Sequence, residues 1–169
     1  MQKILSAAAV AAVLAASGNA AANTTTTTFP VTATLLKACS VSAQAVAFGN
    51  YTPGGGALNV NTSAVSVNCT KNTTYTVALN GGSTAGGTVA QRLMGSGANT
   101  LQYNIYTAAT DTTVFGDGSG TSATEAGTGA GMSAAATAFT MYANLPDNAL
   151  NKNVPPGAYT DTVTVTVTY

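Results

Sequence analysis

The last eleven residues constrain the fold more than any other stretch of this chain. Tyr159-Thr-Asp-Thr-Val163-Thr-Val165-Thr-Val167-Thr-Tyr169 puts Tyr159, Val163, Val165, Val167 and Tyr169 on one face. Thr160, Thr162, Thr164, Thr166 and Thr168 fall on the other. Successive side chains of a β-strand point to opposite faces, so a strict period of two is a strand signature. Val and Thr add to it, because branching at Cβ suits a pleated surface. Such a strand is expected to lie in a sheet with its apolar face in the core. The period recurs upstream in Phe29-Pro-Val31-Thr-Ala33-Thr-Leu35, in Leu58-Asn-Val60 and in Val65-Ser-Val67-Asn-Cys69. It returns in Thr73-Thr-Tyr75-Thr-Val77-Ala-Leu79, Leu101-Gln-Tyr103-Asn-Ile105 and Phe139-Thr-Met141-Tyr-Ala143. Cys39-Ser-Val41 and Val46-Ala-Phe48 are shorter extended pieces. Pro53-Gly-Gly-Gly56 and Asn80-Gly-Gly82 punctuate the series as turns. Seven or more short strands at this spacing predict an all-β, single-domain β-sandwich. The Gly-, Ser-, Thr- and Ala-rich stretch 116–131 reads as a long mobile loop.

The N-terminus is of another kind. Lys3 is followed by an apolar run, Ile4 to Ala16, and then by small residues around Gly18-Asn-Ala20 and Ala20-Ala-Ala22. This is the pattern of a secretory signal peptide, assigned to residues 1–22. The run is about 13 residues long, short of the roughly 20 a membrane-spanning helix needs. Of 169 residues, 169 − 22 = 147 then remain, the size of one ordinary domain.

The whole chain has five basic and five acidic residues and no His. Without Lys3 the balance is four to five, a net charge of −1. That excludes nucleic acid and anionic membrane surfaces as electrostatic partners. The two cysteines, Cys39 and Cys69, both follow the signal segment. In an oxidising compartment a lone pair reads as a disulfide. With no His and no CxxC there are no partners for a thiol nucleophile or a metal site.

Catalysis finds little support. The commonest general base is missing. The carboxylates Asp111, Asp117, Glu125, Asp147 and Asp161 are scattered through turn-like sequence and do not form the facing pair a glycosidase uses. Asp117-Gly118 does not satisfy the calcium-loop pattern and reads as a turn. No cofactor or metal is expected. Lys37 and Arg92 read as isolated, solvated strand-end cations. Tyr51, Tyr75, Tyr103, Tyr106, Tyr142, Tyr159 and Tyr169 fall mostly on alternating strand positions, which favours packing over a sugar-binding platform. Asn23, Asn61, Asn68 and Asn72 each begin an N-x-S/T triplet, expected by chance in so Thr- and Asn-rich a chain.

The segment 23–36 offers two readings. Phe29, Val31, Ala33 and Leu35 share one apolar face behind the threonine run 24–28. The segment is either the first strand of its own sandwich or a strand that inserts into the sheet of a neighbouring subunit. Inserted strands bind through main-chain hydrogen bonds, with pockets for alternate side chains.

Several pieces in this order resemble one family. They are Cys39-Ser-Val41, Val46-Ala-Phe48-Gly-Asn-Tyr51, Val65-Ser-Val67-Asn-Cys69-Thr70, Tyr75-Thr-Val77-Ala-Leu79-Asn-Gly81-Gly82 and Arg92-Leu-Met94. Leu101-Gln-Tyr103-Asn-Ile105-Tyr106, Phe115-Gly-Asp-Gly118 and Pro156-Gly-Ala-Tyr159-Thr-Asp-Thr-Val163-Thr-Val165 complete the series. Together they are similar to the spore coat U domain family, which includes the pilins of archaic chaperone–usher pili. Phe115 stands where many relatives carry Trp, and an aromatic is expected to be buried there.

The resemblance implies an incomplete immunoglobulin-like sandwich over residues 37–169 that lacks its last strand, with residues 23–36 as a donor strand for the next subunit. The donor face would be Phe29, Val31, Ala33 and Leu35. The groove would lie between the Cys39 strand and the C-terminal strand with Val163, Val165, Val167 and Tyr169, which a chaperone would also engage. Expected partners are other pilin subunits, a periplasmic chaperone and an outer-membrane usher, and the expected location is the cell surface. The implied function is a structural pilus subunit supporting adhesion and biofilm formation. A secreted coat or matrix protein with a self-complete sandwich, or a carbohydrate-binding module, are the alternatives.

Overall fold

The computed structural model describes residues 22–110 and 112–169. The signal segment, apart from Ala22, and Asp111 lie outside the described residues. The chain divides into two units, residues 1–34 and 35–169. In the first, residues 22–34 form no strand, and Phe29 and Val31 are 80% and 85% exposed.

The second unit is built of two antiparallel sheets. The strands are β1 Cys39–Ala43, β2 Leu58–Cys69, β3 Thr74–Leu79, β4 Arg92–Ser96, β5 Asn99–Tyr106, β6 Glu125–Thr128, β7 Thr137–Leu145 and β8 Val165–Thr168. One sheet has the order β1-β2-β7-β5-β4 and the other β6-β3-β8. A single 3₁₀ turn, Asn151–Asn153, follows β7. Period-two patterning decides which residues meet between the sheets. Val65, Val67 and Cys69 of β2, Tyr75, Val77 and Leu79 of β3, and Met141, Ala143 and Leu145 of β7 are all buried. Their sequence neighbours on the same strands face outward. The sandwich is therefore all-β, as the alternation predicts.

The structure departs from the expected strands where other interactions outweigh local pattern. The two pieces Leu58–Val60 and Val65–Cys69 are one twelve-residue strand, continuous across a register shift between Val60 and Ser63. Ser63 Oγ donates to the Ala45 carbonyl at 2.6 Å there, tying the chain after β1 to that irregularity. Val46 and Phe48 are half-buried but not in a strand. The segment 29–35 is likewise not a strand. The stretch 116–131 is no long loose loop. It contains β6, paired with β3 through Tyr75↔Gly127 and Val77↔Glu125. Gly127 makes this possible, because a Cβ there would collide with the Tyr75 ring. Phe115, fully buried, anchors the start of the stretch, as expected for the aromatic at that position.

Arg92 is the largest correction. Read as a solvated cation, it is instead 0% exposed. Its Nε donates to the Asn80 carbonyl at 2.9 Å, one terminal nitrogen to Asn104 Oδ1 at 2.6 Å and the other to the Phe115 carbonyl at 2.8 Å. Burial pulls its pKa down. Five donors in a rigid fork suit a cavity lined by carbonyls from several chain segments, which a single ammonium could not serve.

Candidate functional site

β1 and β8 are edge strands of different sheets, and they approach one another. Between them runs an open cleft of about 460 Å³. Ala43, Gln44, Ala45 and Val46 form one wall, and Tyr159 to Val163 with Val165 form the other. Met94, Tyr103, Ile105 and Met141, from the five-stranded sheet, form the floor. A second hollow of about 760 Å³ continues it, sharing Val46, Phe48, Met94 and Tyr159. Tyr103, Ile105 and Met141 of the floor are themselves buried, and the apolar side chains left partly accessible along the cleft are Val46, Phe48, Met94, Tyr159 and Val163.

The ladder phases show what the rims present. The Asn80 N–H donates to the Thr164 carbonyl, so the Asn80/Thr164 pair is hydrogen-bonded. In an antiparallel ladder such pairs alternate with non-bonded ones. Thr166 and Thr168 therefore turn their peptide groups toward β3, and Val165 and Val167 turn theirs away from it. On the other rim the Gln44 N–H donates to the Ala64 carbonyl and the Thr70 N–H to the Ala38 carbonyl. The same alternation turns the peptide groups of Val41 and Ala43 away from β2. Each edge strand so carries backbone donors and acceptors turned away from its partner strand, the usual liability of an edge.

The expected C-terminal strand is present in altered form. Its alternation holds, with Tyr159, Val163, Val165 and Val167 half-buried and the threonines exposed, but only Val165–Thr168 pairs in the three-stranded sheet. Upstream, Thr160 exchanges hydrogen bonds with Gly95 of β4, so the chain crosses from one sheet to the other near Asp161. Tyr169 is 54% exposed.

Asp161 fixes that crossing. Its Oδ1 accepts from the backbone and hydroxyl groups of Ser83 and Thr84 at 2.9–3.2 Å, and its Oδ2 accepts from the Tyr103 hydroxyl at 2.6 Å. Burial raises this carboxyl, but the bonds from Tyr103 and the Ser83 and Thr84 amides outweigh it and hold the group below the usual carboxylate range. The same burial and the Asp161 charge push the Tyr103 phenol up. Sequence reading missed this residue. The available signal was its parity, since Asp161 falls on the same face as Tyr159 and Val163.

Asp147 does similar work at the end of the hollow, accepting from Tyr51 Oη at 2.5 Å, the Gly54 and Gly56 amides at 3.0 and 3.2 Å, and Lys152 at 3.2 Å. These contacts, Tyr51 foremost, lower its carboxyl to about 2. Asp117 is the turn residue expected, its Oδ1 accepting the Ser119 N–H at 2.9 Å.

The two cysteines are directly opposite in the β1–β2 register and disulfide-bonded, with Cα atoms 4.1 Å apart. No group of His, Cys, Asp or Glu able to hold a metal occurs among the described residues. Of the residues expected to form a donor face, Phe29, Val31 and Leu35 are exposed at 80–90%, and Ala33 is exposed as well.

An all-β sandwich with an apolar cleft between the segment that follows its first strand and the segment that precedes its last is the class these features define. Residues 25–166 match the Spore Coat Protein U domain, and the chain belongs to that family. No curated protein matches the sequence. Among solved structures the fold is similar to a chain in the complex of CsuC with CsuE, described as a chaperone–tip adhesion subunit pre-assembly complex of archaic chaperone–usher Csu pili from Acinetobacter baumannii. The TM-score is 0.52 at 24% identity, over 80% of this chain and 40% of that one. This likeness is one of fold, and the chain spans less than half the length of that neighbour.

Proposed function

We propose that the protein is a structural subunit of an archaic chaperone–usher pilus that polymerises by donor-strand exchange. Residues 23–36 are the donor segment and residues 37–169 the accepting domain. Phe29, Val31, Ala33 and Leu35 enter the cleft of the next subunit, and their backbone pairs with the rims at Val165 and Val167 and at Val41 and Ala43. A periplasmic chaperone occupies the same cleft beforehand, and an outer-membrane usher exchanges it for the donor. The assembled fibre stands on the cell surface and serves attachment and biofilm formation. The chain's part is architectural, with no catalytic step.

One observation carries this reading. The domain leaves half-buried apolar side chains, Val46, Phe48, Met94, Tyr159 and Val163, along a cleft beside the edge strands β1 and β8, and the same chain carries an exposed stripe of alternating apolar residues. Covering Phe, Val and Leu in such a cleft is worth about 1.5–3 kcal/mol each before ordering costs. Family membership and the fold of the Csu neighbour add support. A sugar platform is disfavoured, since Tyr75 and Tyr103 are buried and Tyr51, Tyr106, Tyr142 and Tyr159 are half-buried.

The test compares the mature chain with a form lacking residues 23–36. The intact chain is expected to form concentration-dependent oligomers. The shortened form should stay monomeric, unfold at lower temperature and regain stability with a synthetic 23–36 peptide. A shortened form as stable as the intact one and indifferent to the peptide would sink the proposal.

A further inference from the structure

We infer that the connector Leu36-Lys37-Ala38 is built to keep the donor segment out of the cleft of its own chain, so that only a second copy can fill it. This rests on the donor-strand reading above. It adds that self-closure is blocked by the chain itself and needs no other protein to prevent it.

The connector does not turn. Ala38 continues the pairing of β1, its carbonyl accepting from the Thr70 N–H at 2.9 Å and its N–H donating to Thr70 Oγ1 at 3.3 Å. The chain therefore enters β1 in line with the strand, and Leu36 and Lys37 are exposed.

Two routes could bring residues 29–35 back to the cleft beside β1. Running parallel to β1 requires a crossover of about a dozen residues, and three are present between Leu35 and Cys39. Running antiparallel requires a hairpin, and a three-residue hairpin loop calls for a residue that accepts positive φ, ordinarily Gly or Asn. The connector has none. From Thr24 to Phe48, 25 residues, there is no Gly, Asn or Asp, in a chain that contains 18 Gly. The tight turns of this domain do use such residues. Asn72 has φ 62° between β2 and β3, and Gly97 has φ 60° between β4 and β5. The segment before β1 lacks the residues with which the β4–β5 hairpin and the β2-to-β3 turn are made.

The experiment restores the missing turn chemistry in the mature chain and leaves the donor face untouched. Lys37→Asn combined with Ala38→Gly gives a three-residue hairpin loop. A second variant, with Asn-Gly inserted between Lys37 and Ala38, lengthens the loop by two and covers the case in which the first does not fold. The readouts are oligomeric state by light scattering and uptake of a labelled 23–36 peptide at about 10 µM. A tethered donor acts at an effective concentration of order mM, so a closed variant takes up peptide about 100-fold less. Monomeric variants with that loss, beside a wild type that oligomerises and binds peptide, are the expected result. Folded variants that oligomerise and bind peptide like wild type overturn the inference and leave the donor-strand reading standing. A wild type that neither oligomerises nor binds peptide removes both.

Discussion

The Tyr103 hydroxyl donates to Asp161 Oδ2 at 2.6 Å, joining the floor of the cleft to the segment that forms its wall. Tyr103 belongs to the five-stranded sheet, and Asp161 lies where the C-terminal segment leaves that sheet for the other. Gly82 packs so closely against this carboxylate that a Cβ there would collide with it. Wall and floor are thus set by one carboxylate rather than by apolar contact alone.

Replacing Asp161 with Asn should loosen that wall. The amide keeps the shape but loses the charge that four Ser83 and Thr84 donors and one phenol now share. Hydrogen bonds to a charged group are worth about 1.5–3 kcal/mol each when well buried. Asp161 is half-exposed, so a total loss near 2 kcal/mol in urea unfolding is expected, with Tyr103→Phe losing less. Uptake of the 23–36 peptide should weaken in Asp161→Asn. An unchanged midpoint and unchanged uptake would show the clamp to be idle.

Acid should act at a different place. Asp147 has its carboxyl lowered to about 2, against an unperturbed value near 3.9. A group depressed in the folded state binds its proton more readily when unfolded, so its stabilising contribution is complete above about pH 4 and is lost as pH falls toward 2. Denaturation midpoints measured at pH 7, 4 and 2.5 should drop across the last interval. Asp147→Asn should be less stable at pH 7 and show a shallower acid drop. Equal acid slopes in both proteins would contradict the assignment.

Removing the disulfide should be costly. Cys39 and Cys69 are 30 residues apart, a loop worth about 3–4 kcal/mol in the chain-entropy account. Cys39→Ser and Cys69→Ser should each lower periplasmic yield and thermal stability by similar amounts, and the double variant by little more. Two titratable thiols in the exported wild type would rule the bridge out.

Arg92→Lys should fail as a substitute. It strands at least two of the Asn80, Phe115 and Asn104 acceptors inside the core, at about 1–3 kcal/mol each. A loss of about 3 kcal/mol is expected by chemical denaturation, with Arg92→Ala worse. A lysine variant within 0.5 kcal/mol of wild type, roughly the range of ordinary surface changes, would mean the fork is unnecessary.

Alternation made most of the core legible. Val65, Val67, Tyr75, Val77, Tyr103, Ile105 and Met141 could all be placed inside from period alone, and the half-buried face of Val163, Val165 and Val167 as well. The cysteine pair was legible because no other pairing exists. Arg92 was not, since its partners are mainly main-chain carbonyls, which leave no trace in a sequence. β6 was hidden for a related reason. Glu125-Ala-Gly-Thr128 has weak strand propensity, and it pairs because Gly127 makes room for Tyr75. The cleft was indicated only through family likeness, because a missing neighbour has no residues of its own. Asp161 alone broke the apolar parity of its strand, and that irregularity marks the crossing.

The position of the Cys39–Cys69 bond has a mechanical consequence. Tension applied to the segment before β1 enters the domain at Cys39, the first residue of that strand. Pulled from this end, an antiparallel pair would unzip one ladder bond at a time, the weakest way to load a sheet. The bridge lies at the mouth of that zipper and passes the load covalently to Cys69 of β2, whose strand is paired on both sides. Load arriving before β1 is thus shared with a strand held in the middle of its sheet.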